Sequence, residues 1–400
     1  MKEIFKKALP VLNKIEEAGF EAYFVGGCVR DLLMGGQVSD VDIATSATPQ
    51  EIKKIFPKTV DVGIEHGTVL VLYDGTPYEI TTFRTESAYA DFRRPEHVSF
   101  VRSLTEDLKR RDFTMNAIAM DKHGNIIDPY EGRKDIADKV IRTVGSAKER
   151  FQEDALRMMR AVRFVSQLSF EVEPQTYQAL KTYGHLLEKI SVERISMEFD
   201  RLLTGPNHQS GIRILADTGL YFYLPGFRNK KDGLIRFNKL KLDEELTLEE
   251  RWILLLYHLL PSGDDVEGLL RSWKMPVKRI KRIKTGLKWL SFRMENEWTV
   301  MDLYFATEPI ALSTEKLYNT LKGKKLHASL QELAAIFKQL PIKSRKEMEI
   351  SGTDLLNWFN RRGGQWVGEF LEKVEKAIVL GKVENRKEAI KEWLFKCNRM

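Results

Sequence analysis

A short segment, Glu21 to Val25, runs into the consecutive glycines Gly26 and Gly27, and Ser39-Asp40-Val41-Asp42-Ile43-Ala44-Thr45 follows shortly after. No other feature constrains the fold as strongly. It predicts a strand, a tight turn, a helix from Cys28 to Met34, a Gly35-Gly36 turn and a second strand from Asp40 to Ala44, with both special elements at one end of neighbouring strands. Side chains alternate along a strand, so Asp40 and Asp42 would project from one face and could share hard divalent cations. A Gly-Gly turn before a helix lets backbone N–H groups approach a triphosphate, and Arg30 adds a fixed cation near that end. Singly, an Asp-x-Asp is more often a solvated strand edge, a Gly-Gly only a tight turn, and Arg30 with Asp31 a surface ion pair. Jointly they imply metal-dependent nucleotidyl-transfer chemistry.

With 400 residues the chain can bury more than one core. Its 64 basic against 57 acidic residues give a net charge of +7, a modest excess that suits a polyanionic partner only if it is concentrated somewhere. The stretch Arg271 to Arg293 has no acidic residue and interleaves Trp273 and Trp289 with lysines and arginines. That is compatible with an RNA-binding surface and equally with a solvated basic helix whose tryptophans are core. Cys28 and Cys397 are the two cysteines, so neither a disulfide framework nor a cysteine-rich zinc site is expected and a reducing cytoplasm is. Residues 1–20 form an amphipathic helical pattern broken by Pro10, without a signal-peptide core, and no apolar stretch reaches the ~20 residues that span a bilayer.

Thr48-Pro49-Gln50-Glu51 carries an N-cap, a first-turn proline and a capping-box glutamate, predicting a helix to about Phe56. Thr68–Tyr73 and Tyr78–Phe83 read as strands joined by an Asp74-Gly75 hairpin, and a second hairpin is predicted around His123-Gly124-Asn125. Glu86 to Val98 is polar and aperiodic and predicts a mobile loop containing Arg93 and Arg94. Residues 1–148 thus form an α/β lobe with a mixed sheet, and from Glu149 onward the pattern is helical nearly everywhere.

Three further segments follow in order: Arg110-Arg111-Asp112-Phe113-Thr114-Met115-Asn116-Ala117, Asp128-Pro129-Tyr130-Glu131-Gly132 and Glu153-Asp154-Ala155-Leu156-Arg157. With the Gly26–Asp42 region, they resemble the DNA polymerase β nucleotidyltransferase superfamily and, more narrowly, the bacterial class II tRNA nucleotidyltransferases, the CCA-adding enzymes. The resemblance is dense to about residue 205 and looser beyond, where Gly352-Thr353-Asp354-Leu355 and Gly364 to Trp393 are similar to the family's tail. It implies an α+β protein with a catalytic head (1–148), a base-recognising helical neck (149–205), and a helical body (206–305) and tail (306–400) that bind tRNA. It also implies Mg²⁺ as cofactor, ATP and CTP as substrates, and a cytoplasmic enzyme; it leaves open whether the chain dimerises.

In such a site Asp40 and Asp42 hold the metal ions, and Arg30, Arg111 and the Gly27 backbone meet the triphosphate. The resemblance assigns Glu79 as a third carboxylate, against the alternative of an exposed strand residue. Asp154 and Arg157, three apart on one helix face, offer an acceptor beside a donor. That pair complements the amino group and ring nitrogen of cytosine or adenine and mismatches guanine and uracil; an ordinary Asp-Arg ion pair is the alternative. The resemblance adds Arg160 and Arg163 to the nucleotide site, although a straight helix turns about 180° between residues 154 and 163, so Arg163 needs a bend or a long reach. Arg194 and Glu198 read as a helix-stabilising i,i+4 pair. The polar loop is implied to support the switch from adding C to adding A. Open alternatives are a poly(A) polymerase, an enzyme adding only part of CCA, and a catalytically silent RNA-binding protein.

Overall fold

The computed structural model describes residues 2–89, 95–261, 265–325 and 327–397. Two compact units emerge, one of residues 1–238 with 272–274, the other of residues 239–271 and 275–400. Helix α1 (Glu3–Glu17) opens the first, burying Phe5, Ala8, Val11, Leu12 and Ile15. It continues through Pro10 instead of breaking there. Pro10 is exposed, so the carbonyl it leaves unpaired one turn earlier can be hydrated while the apolar face holds the helix together.

Next come β1 (Ala22–Val25), α2 (Gly27–Leu33), β2 (Asp42–Thr45), α3 (Pro49–Ile55), β3 (Thr59–Gly63), β4 (Thr68–Tyr73) and β5 (Thr76–Thr82). The capping box of Thr48 and Glu51 forms as predicted, and Asp74 and Gly75 both take the positive φ that a tight hairpin requires. The segment predicted as an aperiodic loop is instead an antiparallel ribbon, β6 (Arg84–Tyr89) with β7 (Pro95–Phe100); Arg93 and Arg94 lie outside the described residues. Then follow α4 (Leu104–Lys109), β8 (Ala119–Met120), β9 (Ile126–Ile127), α5 (Gly132–Ala137) and β10 (Val140–Ile141).

The main sheet has the order β3-β4-β5-β2-β1-β8-β9. It is mixed: β2 and β5 run parallel and the other neighbours antiparallel. Its paired strands bury Val69, Val71, Ile43 and Ile80 on one face. On the other face Val25 and Ala44 join Phe83, Leu104, Leu108, Ala117, Ala119 and Val144 in a second core.

Beyond residue 142 the first unit is helical: α6 (Ala147–Glu153), α7 (Leu156–Leu168), α8 (Pro174–Tyr183), α9 (Val192–Thr204), α10 (His208–Thr218) and α11 (Lys231–Asn238). One short strand, β11 (Glu171–Val172), interrupts the helices and pairs in parallel with β10. Trp273 is fully buried in this unit, packing on Phe199 and Phe227 and donating its indole N–H to the Pro225 carbonyl at 2.7 Å.

The second unit comprises α12 (Leu248–Leu259), α13 (Val266–Ser272, whose last residue belongs to the first unit), α14 (Val277–Glu295), α15 (Val300–Ala306), α16 (Glu308–Lys322), α17 (His327–Gln339), α18 (Gly352–Phe359), α19 (Gln365–Val379) and α20 (Lys387–Cys397). Most of the basic run lies on α14. Trp289 packs at a tilt against Trp298 and joins the apolar core there, so both tryptophans of the run serve packing. No described helix is long and apolar enough to cross a membrane.

Candidate active site

A cavity of about 560 Å³ in the first unit is lined by residues of the sheet, α2, the segment 110–116 and α7. Gly27, Arg30, Asp42, Glu79, Arg111, Asp154, Arg157, Arg160 and Arg163 all face it.

At the sheet end, Asp42 and Glu79 are paired in register on adjacent parallel strands and therefore share one face. Asp40 differs from expectation. Strand pairing begins at Asp42, opposite Glu79, although β5 itself continues back to Thr76 on its β4 side, so Asp40 sits in the lead-in loop, beside the Ser39 hydroxyl at 3.0 Å. Asp42 stays open to solvent in the cavity, but the protein packed around it still pushes its carboxyl upward, first by partial loss of water and then by the Glu79 charge; Asp40 adds to this and Arg111 opposes it. No hydrogen bond or ion pair ties the Asp42 or Glu79 carboxylate to another described residue.

Among the described residues no group of three or more His, Cys, Asp or Glu forms a ready metal cage. The donors present still suit Mg²⁺. They are hard oxygens, in register and without an ion-pair partner among the described residues, and Mg²⁺ is usually held by one or two carboxylates with waters and substrate phosphates completing its shell.

Gly26, the N-cap of α2, has φ of 72°, and a Cβ there would lie 2.9 Å from the Arg111 guanidinium. Only glycine satisfies both demands; at Gly27, by contrast, a Cβ would meet nothing closer than Arg30 at 3.7 Å. Arg30 does pair with Asp31, at 2.7 Å, but it is buried and also donates to the Asn116 amide oxygen at 2.7 Å. The Arg110-Arg111-Asp112 string is explained by Asp107, a buried carboxylate one turn earlier that holds both arginines, at 2.8 and 3.1 Å. Asp112 is likewise buried. Burial works to raise its pKa, but Arg160 at 2.6 Å and the Asn116 amide outweigh it and hold the carboxyl at about 2. The Asp128–Gly132 motif is architectural: Asp128 accepts the N–H groups of Gly132 and Arg133, and a Cβ on Gly132 would collide with the Thr114 carbonyl at 2.2 Å.

The helical wall departs from expectation in detail. Asp154 is not on the helix of Arg157; it caps α6 in extended conformation, just before α7 starts. Its carboxylate accepts the Leu156 N–H at 3.1 Å and two bonds from Arg194, at 3.2 and 2.7 Å. Arg157 is buried and bound to Glu153 at 2.6 Å and to the carbonyls of Arg150 and Arg110. With Asp154 off the helix, the half-turn objection to Arg163 lapses, and α7 needs no bend to present Arg157, Arg160 and Arg163 to one cavity.

Arg194 and Glu198 do not form the intrahelical pair predicted. Arg194 reaches Asp154, while Glu198 meets Arg163 at 2.7 Å and Arg160 at 3.8 Å. The Arg163–Glu198 contact is close but misdirected, leaving Arg163 Nε and Glu198 Oε2 without hydrogen bonds; charge rather than geometry joins them. Burial draws the Arg163 guanidinium down to about 10, with Glu198 opposing, so it stays charged at neutral pH. Its plane lies over the Phe164 ring, 4.0 Å from the centroid. Asp112, Asn116, Phe164, Arg194 and Glu198 are thus positioning residues: the sequence picks out Arg194 and Glu198 but gives them the wrong partners, Asp112 and Asn116 lie inside a recognised segment without a predicted role, and Phe164 carries no sequence signal.

A mixed-sheet head whose carboxylates face a basic helical wall defines a nucleotidyltransferase. Residues 22–142 match the family model of the poly A polymerase head domain, 169–230 that of the probable RNA and SrmB-binding site of polymerase A, and 245–394 that of the putative tRNA nucleotidyltransferase domain 2. The chain is 48% identical over 396 residues to the CCA-adding enzyme of Bacillus cereus (strain AH820), with 99% of each chain covered. Its fold superposes on the Bacillus stearothermophilus CCA-adding enzyme, solved in complex with CTP, with a TM-score of 0.94 at 45% identity, covering 100% and 98% of the two chains. The Thermotoga maritima CCA-adding enzyme complexed with tRNA shares the fold, with a TM-score of 0.64 at 22% identity and coverage of 99% and 96%. The chain belongs to the CCA-adding enzymes, a nucleotidyltransferase family that works with a divalent metal ion.

Proposed function

We propose that the chain adds C, C and A in turn to the 3′ end of tRNA from CTP and ATP, without a nucleic-acid template, releasing pyrophosphate at each step, with Mg²⁺ as the metal and the cytoplasm as its compartment. The observation that carries this reading is the single cavity in which in-register carboxylates meet a wall of held arginines. Asp42 and Asp40 would hold Mg²⁺, with Glu79 beside them orienting the attacking hydroxyl. The bound metal supplies a lowered hydroxyl pKa and stabilisation of the departing pyrophosphate. Arg30 and Arg111 neutralise the triphosphate, and the Gly27 backbone faces it.

Asp154 and Arg157 read the base. Arg194 and Leu156 orient the Asp154 carboxylate without filling its roughly four lone-pair sites, leaving acceptor capacity for the amino group of cytosine or adenine. Arg157 supplies the donor to the ring nitrogen. Arg160 and Arg163 complete the nucleotide wall. The head at 1–148 then performs the transfer and the neck at 149–205 chooses the nucleotide. The body at 206–305 and the tail at 306–400 carry the tRNA, for which the exposed basic side chains of α14 are suited.

The deciding experiment is incorporation on tRNAs ending before CCA, after C and after CC, with Mg²⁺ and labelled nucleotides singly and together, resolved to one nucleotide. Ordered growth that stops at CCA is expected. A long A tail would select a poly(A) polymerase, a stop at CC or action only on CC ends a partial enzyme, and no incorporation a silent RNA-binding protein.

A further inference from the structure

The sheet face that carries Asp42 and Glu79 continues past them. Asp42 is in register with Glu79, Glu79 with Leu70 and Leu70 with Val60, so one row of side chains crosses β2, β5, β4 and β3 on the same face. Pro77 and Leu72 form the next row. Val60 is 57% exposed, Leu72 44%, and Val62, at the irregularity between Asp61 and Gly63, 54%. The opposite face of these strands is core, with Val69 and Val71 fully buried. Of these, Leu72 and Val60 share the face of the carboxylates, one and two strands from Glu79, and the fold buries neither.

We propose that this aliphatic surface seats the 3′-terminal nucleotides of the acceptor RNA and so positions the attacking hydroxyl at Glu79 and Asp42. The inference rests on the nucleotidyltransfer reading above and adds the path of the acceptor. β2 stands between β1 and β5. On the β1 flank lie Gly26, Gly27 and Arg30, the groups suited to the triphosphate. Phosphoryl transfer keeps the attacking and leaving oxygens roughly in line, so the acceptor has to arrive from the opposite flank, across β5, β4 and β3. Two strand spacings separate Glu79 from Val60, about 10 Å, the rise of about three stacked nucleotides.

The chemistry of the surface also fits. The terminal base changes after every addition, so the seat beneath it must tolerate different bases. Aliphatic side chains make contact with a base or ribose without reading its hydrogen-bonding edge. Exposed Lys58, whose carbonyl accepts the Leu72 N–H, adds a cation for a backbone phosphate at the outer rim. A second copy of the chain, adding its own strand at the β3 edge of the sheet, is the rival occupant. The break in the β3 ladder at Asp61–Gly63 and the exposed Lys53–Asp61 ion pair disfavour it, because both blunt an edge against strand addition.

The test is the double variant Val60→Ser with Leu72→Ser, both exposed positions whose change spares the core. Steady-state incorporation should show the KM for a tRNA minihelix raised about fivefold to tenfold with the KM for CTP within about twofold of the parent. A photoreactive 4-thiouridine one nucleotide from the acceptor end should cross-link within residues 58–72. Unchanged acceptor KM together with cross-links elsewhere overturns the inference, as does a parent dimer that the double variant dissociates without any change in acceptor KM. A parent chain that incorporates nothing sinks the functional reading and this inference with it, whereas normal incorporation with identical variant kinetics sinks this inference alone.

Discussion

The carboxylates at the sheet end of the cavity and the arginines along its helical wall are both dense arrays of like charge, but they are compensated differently. Asp42 and Glu79 have no ion-pair partner among the described residues, and the Asp42 pKa is raised first by loss of water and then by the Glu79 charge. Arg157, Arg160 and Arg163 each meet a carboxylate, from Glu153, Asp112 and Glu198. Uncompensated acidity costs stability and leaves the coordination capacity a cation needs. Compensated arginines give a rigid wall that can discriminate, because its groups need little reordering when a base arrives.

The largest expected effect lies at the sheet end. Asp42→Asn preserves shape and removes one charge, and nucleotide incorporation should fall by about a thousandfold or more while the circular dichroism spectrum stays that of the parent. Activity within tenfold of the parent would show that the uncompensated end is not the reaction end. Glu198→Gln tests the other side. It strands buried Arg163 and weakens the hold on Arg160, so it should destabilise the first unit by about 3 kcal/mol, read as a drop of several degrees in Tm, and raise the KM for CTP. A melting curve unchanged within one degree would mean that the misdirected Arg163–Glu198 contact contributes nothing.

Acid titration sharpens the same contrast. The Asp112 carboxyl is lowered in the fold from 3.8 to about 2, so its stabilising contribution is present above the unfolded value and is lost as pH falls through the folded one. Stability should therefore decline between about pH 4 and 2 by an amount on the order of 2 kcal/mol attributable to this group. Asp112→Asn should be less stable than the parent at neutral pH and should show a shallower decline across that window in chemical denaturation. Parallel curves for parent and variant would place the acid sensitivity elsewhere.

Local signals made the head legible. The Thr48 capping box, the Asp74-Gly75 hairpin, the two-strand pattern around it and the Gly26 turn each encode their geometry within a few residues. The departures share a physical cause, namely long-range pairing. Asp40 fails to join β2 because strand length is set by partners far away in sequence. Pro10 is tolerated because tertiary burial of α1 outweighs one lost hydrogen bond. Residues 84–100 pair as a ribbon whose register an aperiodic sequence does not announce. The site followed the same rule. Its residues were nameable from motifs, but Asp154 was assigned the wrong element, and Arg194 and Glu198 the wrong partners, because contacts across 40 residues leave no periodic trace.

Arg194 offers the finest test of the comparison, since it supports the wall without belonging to the reaction end. Its guanidinium holds both oxygens of Asp154 from α9, so removing it frees the carboxylate to rotate at the extended α6–α7 junction. A freed Asp154 can still accept a hydrogen bond, but it no longer presents a fixed acceptor beside the Arg157 donor. Arg194→Ala should therefore reduce discrimination of CTP over UTP by about tenfold, the scale of one misplaced hydrogen bond, with a smaller change in kcat for CTP. A reversed pattern, with kcat collapsing and discrimination intact, would assign Arg194 to the chemistry and dissolve the division between the two ends. Equal loss for all four nucleotides would reduce its contact with Asp154 to a structural tie.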